Sequence, residues 1–250
     1  MQFVAPYSLI SSGNLALHLH ADHLADLRAS GLTDETISAA GVYSLRPCDF
    51  AQFFNLRRGV PKELQTALCF PYQSGEFARI KLFPPLGKMK YAQPPKTSAR
   101  LYIPFPVRAG DIVVCEGEKK TLAAQQAGLN AVGAGGIWSW LSNGEPIDDL
   151  KLIEWDGRET TIIFDSDIFC RVDLLRATYA LGQELRRLGA NVFIAQIPQD
   201  GDAKVGLDDC LIAGGDIAEL EVFALSNRIF KSTAYWHSQW KFKKTIRQAA

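Results

Sequence analysis

Between residues 111 and 215 the chain alternates, and that alternation limits what it can become. "IVVC" (112–115) is a short apolar run followed by a helical stretch over 118–127 that stops at Gly128. "NAV" (130–132) leads into the loose turn "GAGG" and a Trp-rich segment. "TTIIFD" (160–165) precedes a helix over 171–188, with Val172, Leu175, Tyr179, Leu185 and Leu188 as its apolar face and Gly189 as its end. "NVFIAQIP" (191–198) is a fourth strand, followed by "QDGDAKVGLDDCLIAGG". Strands that alternate with helices predict a parallel sheet covered on both faces. In such sheets the site lies beyond the carboxyl ends of the strands.

Acids collect at that end. Glu116 and Glu118 follow the first strand, Asp165 and Asp167 the third, and Asp208 and Asp209 the fourth. So many carboxylates stay ionised together only beside a counter-charge; otherwise their pKa values rise. An oxygen-rich set selects Mg²⁺ or Mn²⁺, which keep several waters and reach out to substrate phosphates. Asp165 and Asp167 are two residues apart, so extended backbone would point them to one side. Gly117 permits a tight turn, and the helix beginning there offers its positive end to phosphate.

Charge is uneven along the chain, although the net charge is zero. Residues 1–110 hold 12 Lys/Arg against 7 Asp/Glu, residues 111–225 hold 9 against 20, and residues 226–250 hold 6 against none. This suits three parts: an N-terminal α+β basic subdomain (1–110), an acidic metal-binding domain (111–225) and a basic, aromatic tail (226–250). Basic surfaces beside an acidic centre fit a polyanionic partner, and so does plain solvated surface. The five cysteines include no Cys-x-x-Cys pair, which argues against a zinc ribbon or disulfide framework and fits a reducing cytoplasm. No apolar stretch approaches the ~20 residues of a membrane span.

The first part reads as short helices, then strands. "LALHLHADHLADLRASG" has apolar residues at helical spacing and stops at Gly31; Thr33 caps "DETISAAG". His18 and His20 would point about 200° apart on a helix, so the trio with His23 reads as surface or partner packing, not a metal site. "TALCFPYQSGEFARIKLF" (66–83) reads as two strands around a Gln-Ser-Gly turn. "PPLGKMKYAQPPKTSARLYIPF" reads as a Pro-rich, basic, partly extended connection.

Single motifs are weak here. Asp-x-Asp after a strand also opens haloacid-dehalogenase phosphatases, which want Thr or Val where this chain has Phe169. A response-regulator receiver would need its acidic pair on the first strand. The ordered set "CEGEKK", "IFDSDI" and "KVGLDDCL" resembles the TOPRIM domain shared by DnaG-type primases, topoisomerases and some nucleases. More narrowly, it resembles the TOPRIM-like domains of phage- and plasmid-borne primase or primase-helicase proteins, over roughly residues 60–215. "GEFARIKLF" and "KMKYAQPPKT" are similar to the hairpin and basic segment that precede TOPRIM in such cores.

The resemblance implies a TOPRIM-like parallel sheet with flanking helices, preceded by the smaller basic subdomain. It implies Glu116 in acid–base chemistry or metal binding, Asp165 and Asp167 as the metal pair, and Asp208, with Asp209, as later acids. Gly117, Glu118, Lys119, Lys120 and Lys204 would meet phosphate; Arg79, Lys81, Lys90 and Tyr91 would face nucleotide and template. Two positions depart from the family: Lys120 stands where an Asp is usual, and Gly206 where an acid is usual.

The implied activity is Mg²⁺- or Mn²⁺-dependent primer synthesis from nucleoside triphosphates on single-stranded DNA, in mobile-element replication. No Walker "GxxxxGK[ST]" is present, so helicase work would rest on another protein or on a further domain of a larger one. Two rivals use the same residues. A TOPRIM nuclease would hydrolyse a phosphodiester with water, and a non-catalytic module of a replication or defence complex would only bind single strands. A topoisomerase would need a nucleophilic tyrosine in a separate gate domain, and none stands out. The tail "FKSTAYWHSQWKFKKTIRQAA" could clamp a single strand or pack on a partner.

Overall fold

A computed structural model describes residues 19–54, 62–73, 77–199, 203–227 and 230 of the chain. Two compact units divide it: residues 1–98 with 102–106, and residues 99–101 with 107–250. The readings of His18, the Gln-Ser-Gly turn and the tail beyond 230 fall outside the described residues, wholly or in part.

The first unit opens with α1 (Ala21–Ala29) and α2 (Asp34–Ala39). Thr33 caps α2 by accepting from the Thr36 N–H, as its sequence predicts. An antiparallel sheet follows in the order β1 (Tyr43–Leu45), β2 (Thr66–Pro71), β3 (Ala78–Leu86), β4 (Met89–Ala92), and α3 (Phe50–Phe53) lies between β1 and β2 in the chain. Phe50, Phe53, Ala67, Cys69, Ile80 and Leu82 make its core. The segment expected to be a Pro-rich, partly extended connection contains the turn and second strand of a hairpin. Leu86 pairs with Met89 across Gly87-Lys88, and Gly87 takes the positive φ of +58° that a two-residue turn requires.

His23 corrects the surface expectation. It is fully buried, with Nδ1 2.7 Å from Ser44 Oγ, Nε2 3.0 Å from Thr66 Oγ1, and the Phe83 ring 4.4 Å away. His20, by contrast, is the N-cap of α1. Burial, helped by His20 and Lys81 against Asp22 and Asp26, holds the His23 pKa down at about 4. The unfolded chain takes up that proton near pH 6.5, the folded chain only near 4. Stability from neutral His23 is therefore complete above pH 6.5 and is lost as pH falls towards 4, by about 3 kcal/mol in all. Urea midpoints measured across that range should fall in the wild type and flatten in His23→Gln. Equal slopes would sink the account.

The second unit holds five strands of a six-stranded sheet and Leu101 of the sixth. Its order is β12 (Glu221–Ala224), β11 (Asn191–Gln196), β10 (Glu159–Ile163), β6 (Ile112–Glu116), β7 (Ala131–Ala134), β5 (Leu101–Tyr102). A small hairpin, β8 (Leu141–Ser142) and β9 (Glu145–Pro146), follows β7 in the chain. Strands β11, β10, β6 and β7 are parallel, in the register Thr161↔Val113 and Thr161↔Phe193. On one face Val113, Cys115, Ile163 and Ala195 pack with Ala124 of α4 (Glu118–Gln126) and Leu207 of α6 (Leu207–Ile212). On the other lies α5 (Val172–Arg187), whose Gly182 has no room for a Cβ between Leu225 and Val192.

The molecule is thus mixed α/β, with a parallel-containing sheet and helices on both faces. One detail differs from expectation, and one strand was not foreseen. The α5 contact face uses small residues, Ala177, Thr178 and Gly182 with Leu175, Leu181 and Leu185, while Val172 is 40% exposed. Strand β12 is antiparallel to β11, pairing Glu221 with Gln196. Among the described residues no helix is long and apolar enough to cross a membrane.

Candidate functional site

The site begins at a glycine. Gly117 sits at φ 86°, ψ 165°, a conformation that only glycine adopts readily, and its N–H donates to Ala134 O at 2.6 Å. That bond ties the end of β6 to the end of β7. Thr121 Oγ1 donates to Gly117 O at 2.8 Å, and Gly133 on β7 leaves space for that hydroxyl, since a Cβ there would meet it. Gly117, the N-cap of α4, has no side chain with which to cap it. The turn therefore launches Glu118, Lys119 and Lys120 from the carboxyl edge of the sheet.

The opposite wall comes from β10. Its last residues lead to Asp165, then to a 3₁₀ turn over Ser166–Phe169. The extended geometry expected for Asp165–Asp167 is absent, because the chain already coils there. Ser166 fixes the turn: its N–H donates to Val205 O at 3.0 Å, and Val205 N–H donates to Ser166 Oγ at 2.9 Å. This exchange docks residues 204–206 beside Asp165 and brings Lys204 into the site.

The centre is Asp165, only 1% exposed. Lys120 Nζ lies 3.0 Å from Oδ1 and 3.3 Å from Oδ2, while Lys204 Nζ lies 2.5 Å from Oδ2. Asp167 sits 3.9 Å from Lys204 Nζ through Oδ1 and 3.6 Å from Arg171 through Oδ2. A buried carboxylate costs several kcal/mol unless it is paired, and the two lysines supply that pairing. Gly206 makes room for it. A Cβ at 206 would stand 2.6 Å from Lys120 Cε and 2.5 Å from Asp208 Oδ1.

Electrostatics follow from this packing. Burial pushes the Glu116 carboxyl above the usual range, and Asp165 and Asp167 add to that push against Lys204 and Lys120. Burial pulls the Lys120 ammonium down, but Asp165, Asp208 and Glu116 outweigh it and hold its pKa above normal. Lys204 behaves likewise, with Asp165 as its chief support. Cys115, beside them in sequence, is pushed up to about 12 by burial and takes no part as a thiolate.

The sequence candidates therefore divide. Glu116, Asp165, Asp167, Lys120, Lys204 and Asp208 interact with one another, with Gly117 and Gly206 as the turns that allow it. Asp209 serves α6, accepting from the Gly206 N–H at 2.8 Å. Glu118 is buried in the first turn of α4, and Lys119 is half-buried there. In the first unit Arg79 lies over the Tyr91 ring at 4.7 Å, and Lys81 pairs with Asp26 at 2.6 Å. Register puts Tyr91 opposite Lys81, so Arg79, Lys81 and Tyr91 share a face; strand alternation turns exposed Lys90 away from them. Thr121 and Arg171 were not singled out in the sequence, Ser166 stood there only within "IFDSDI", and Gly133 only within the turn "GAGG", whose first two residues the structure places in β7.

A resident Mg²⁺ or Mn²⁺ does not fit this donor set as it stands. Both Asp165 oxygens face an ammonium, and among the described residues no three His, Cys, Asp or Glu side chains form a group that could hold a metal ion. Asp165 Oδ1 and Asp167 Oδ1 are both buried without a hydrogen bond among the described residues, but the first already lies 3.0 Å from Lys120 Nζ, and the two together are not a coordination sphere.

A family model described as "Domain of unknown function (DUF3854)" matches residues 108–218, which include Glu116 through Asp209. No curated protein matches the chain. Among solved structures, it is similar to the RNA polymerase domain of Mycobacterium tuberculosis primase DnaG, with 20% identity over 82% of this chain and 67% of that one, and a TM-score of 0.48. It is also similar to the primase fragment of the bacteriophage T7 primase-helicase protein, with 17% identity over 76% of this chain and 70% of that one, and a TM-score of 0.44.

Proposed function

We propose that this chain is a primase-like nucleotidyltransferase that makes primers on single-stranded DNA, with each triphosphate arriving as its Mg²⁺ or Mn²⁺ complex. A helicase domain or protein of the same replication system is the expected partner. The observation that carries this reading is the convergence of Lys120, Lys204 and a Glu116 carboxyl of raised pKa on one strand-end turn. The lysines hold positive charge where a phosphate would bind, near the start of α4.

In the reaction the 3′-hydroxyl oxygen of the growing strand bonds to the α-phosphorus, the α–β bridging bond breaks, and pyrophosphate leaves. Glu116 accepts the hydroxyl proton; its raised pKa makes it a stronger base than an exposed glutamate. Lys120 and Lys204 stabilise the charge that develops on the phosphate oxygens. Asp165 keeps both lysines charged and in place.

The experiment combines full-length chain, single-stranded DNA, labelled nucleoside triphosphates and Mg²⁺ or Mn²⁺, beside Glu116→Gln. Wild type should yield short products, with a rate that rises with pH through the elevated Glu116 pKa, because only the ionised carboxylate accepts the proton. Glu116→Gln should lose about 10²–10⁴-fold and that pH dependence. Template shortened without triphosphates would replace this reading with a nuclease. Binding without turnover would favour a second reading, a non-catalytic single-strand-binding module.

A further inference from the structure

Away from the carboxylates, the second unit has a cavity of about 450 Å³ between α5 and the β8–β9 hairpin. Trp138, Trp140 and Pro146 form one wall, and Arg176, Tyr179 and Gln183 the other. Nothing in the proposed transfer reaction uses these groups. Arg176 is one turn into α5, and Gln183 is two turns further on.

Three features stand out. The two indoles are stacked, with centroids 6.3 Å apart and planes 24° from parallel, and Trp138 is 42% exposed although it is among the largest apolar side chains. Trp140 is only 5% exposed, yet its Nε1–H has no hydrogen-bond partner among the described residues. A buried donor of this kind wants an acceptor. Arg176 makes no ion pair among the described residues, whereas the acid that also lines the cavity, Glu184, is already matched by Arg187 at 2.6 Å. The cavity therefore carries positive charge, flat aromatic walls and a donor without an acceptor.

We infer that this cavity binds a nucleotide, with its base against the Trp138 indole and its phosphate on Arg176. The ligand chemistry follows from the walls. An exposed indole face takes any planar base by stacking. The guanidinium suits a phosphate, with which it forms paired hydrogen bonds. Trp140 Nε1–H donates to a base nitrogen or carbonyl, and the Gln183 amide both donates and accepts along a base edge. The volume lies in the range of small-ligand sites. The nucleotide is either free or part of a single strand. This site does not depend on the transfer reaction, since a non-catalytic module would have equal use for it.

The test is fluorescence anisotropy of short fluorescein-labelled oligo-dT with the full chain, and competition by unlabelled dTMP and AMP. Wild type is compared with Trp138→Ala, Trp138→Phe and Arg176→Ala. Trp138→Ala should weaken binding about tenfold and Trp138→Phe should recover most of it. Arg176→Ala should weaken binding and flatten its salt dependence. The same losses with the mononucleotides assign the site to free nucleotide, and losses with oligo-dT alone assign it to a strand. Both partly exposed residues are replaceable without unfolding, which thermal melts check. If both alanine variants fold and bind oligo-dT and mononucleotide as wild type does, the inference is overturned, and a peptide or apolar partner takes its place.

Discussion

Asp165→Asn is expected to abolish primer synthesis, by at least about a hundredfold, and to destabilise the chain. The asparagine keeps the shape of the side chain and removes its charge. Lys120 Nζ and Lys204 Nζ, now 3.0 Å and 2.5 Å from carboxylate oxygens, would face a neutral amide. Lys204 is half-exposed and can turn to water, but Lys120 is mostly buried. Removing one partner of a buried ion pair costs on the order of 3–5 kcal/mol. Asp208 and Glu116 also support the Lys120 charge, so the lower end of that range is expected. The Lys120 pKa should fall, because the largest influence raising it is gone. Denaturant midpoints and primer yield, measured on one preparation, check both halves. A variant with wild-type stability and undiminished product would remove Asp165 from the centre of the site.

The second large effect comes from reversing one charge. In Lys120→Asp, Lys204 is left beside Glu116, Asp165, Asp167, Asp208 and the new carboxylate. Crowded carboxylates either take up protons or take up a cation. The variant should therefore bind Mn²⁺ at least about tenfold more tightly than wild type in the absence of nucleotide, and Mg²⁺ should raise its melting temperature where it leaves wild type unchanged. Mn²⁺ binding is read by the loss of the free-ion electron spin resonance signal. Equal, saturable binding by wild type would mean that a resident metal displaces Lys120 from Asp165. The metal would then belong to the protein and not to the arriving triphosphate.

Lys120 and Gly206 explain each other in the structure. As letters they are two unrelated departures from a familiar pattern. In space, Gly206 is where a side chain would strike Lys120 Cε, so the glycine is what lets the lysine reach Asp165. The two changes act as one, with an ammonium as the counter-charge of a buried carboxylate.

Local chemistry was readable from the chain. Apolar runs bounded by glycines placed β6, α4, β10, α5 and β11 to within a few residues, because hydrophobic spacing and chain-ending residues act over a single turn or strand. The parallel core and the gathering of Glu116 and Asp165 at its carboxyl edge followed from alternation, whereas Lys204 came only from the resemblance. Other features depended on which distant residue arrived. His23 looked like surface until Ser44 and Thr66 closed on it. The α5 contact face was misjudged because small residues bury well only where a neighbour such as Leu225 comes close. Whether the acids gather around a metal or around lysines is also a tertiary matter. A carboxylate's counter-charge is whichever cation the fold brings within about 3–4 Å, and here it brings Lys120 and Lys204.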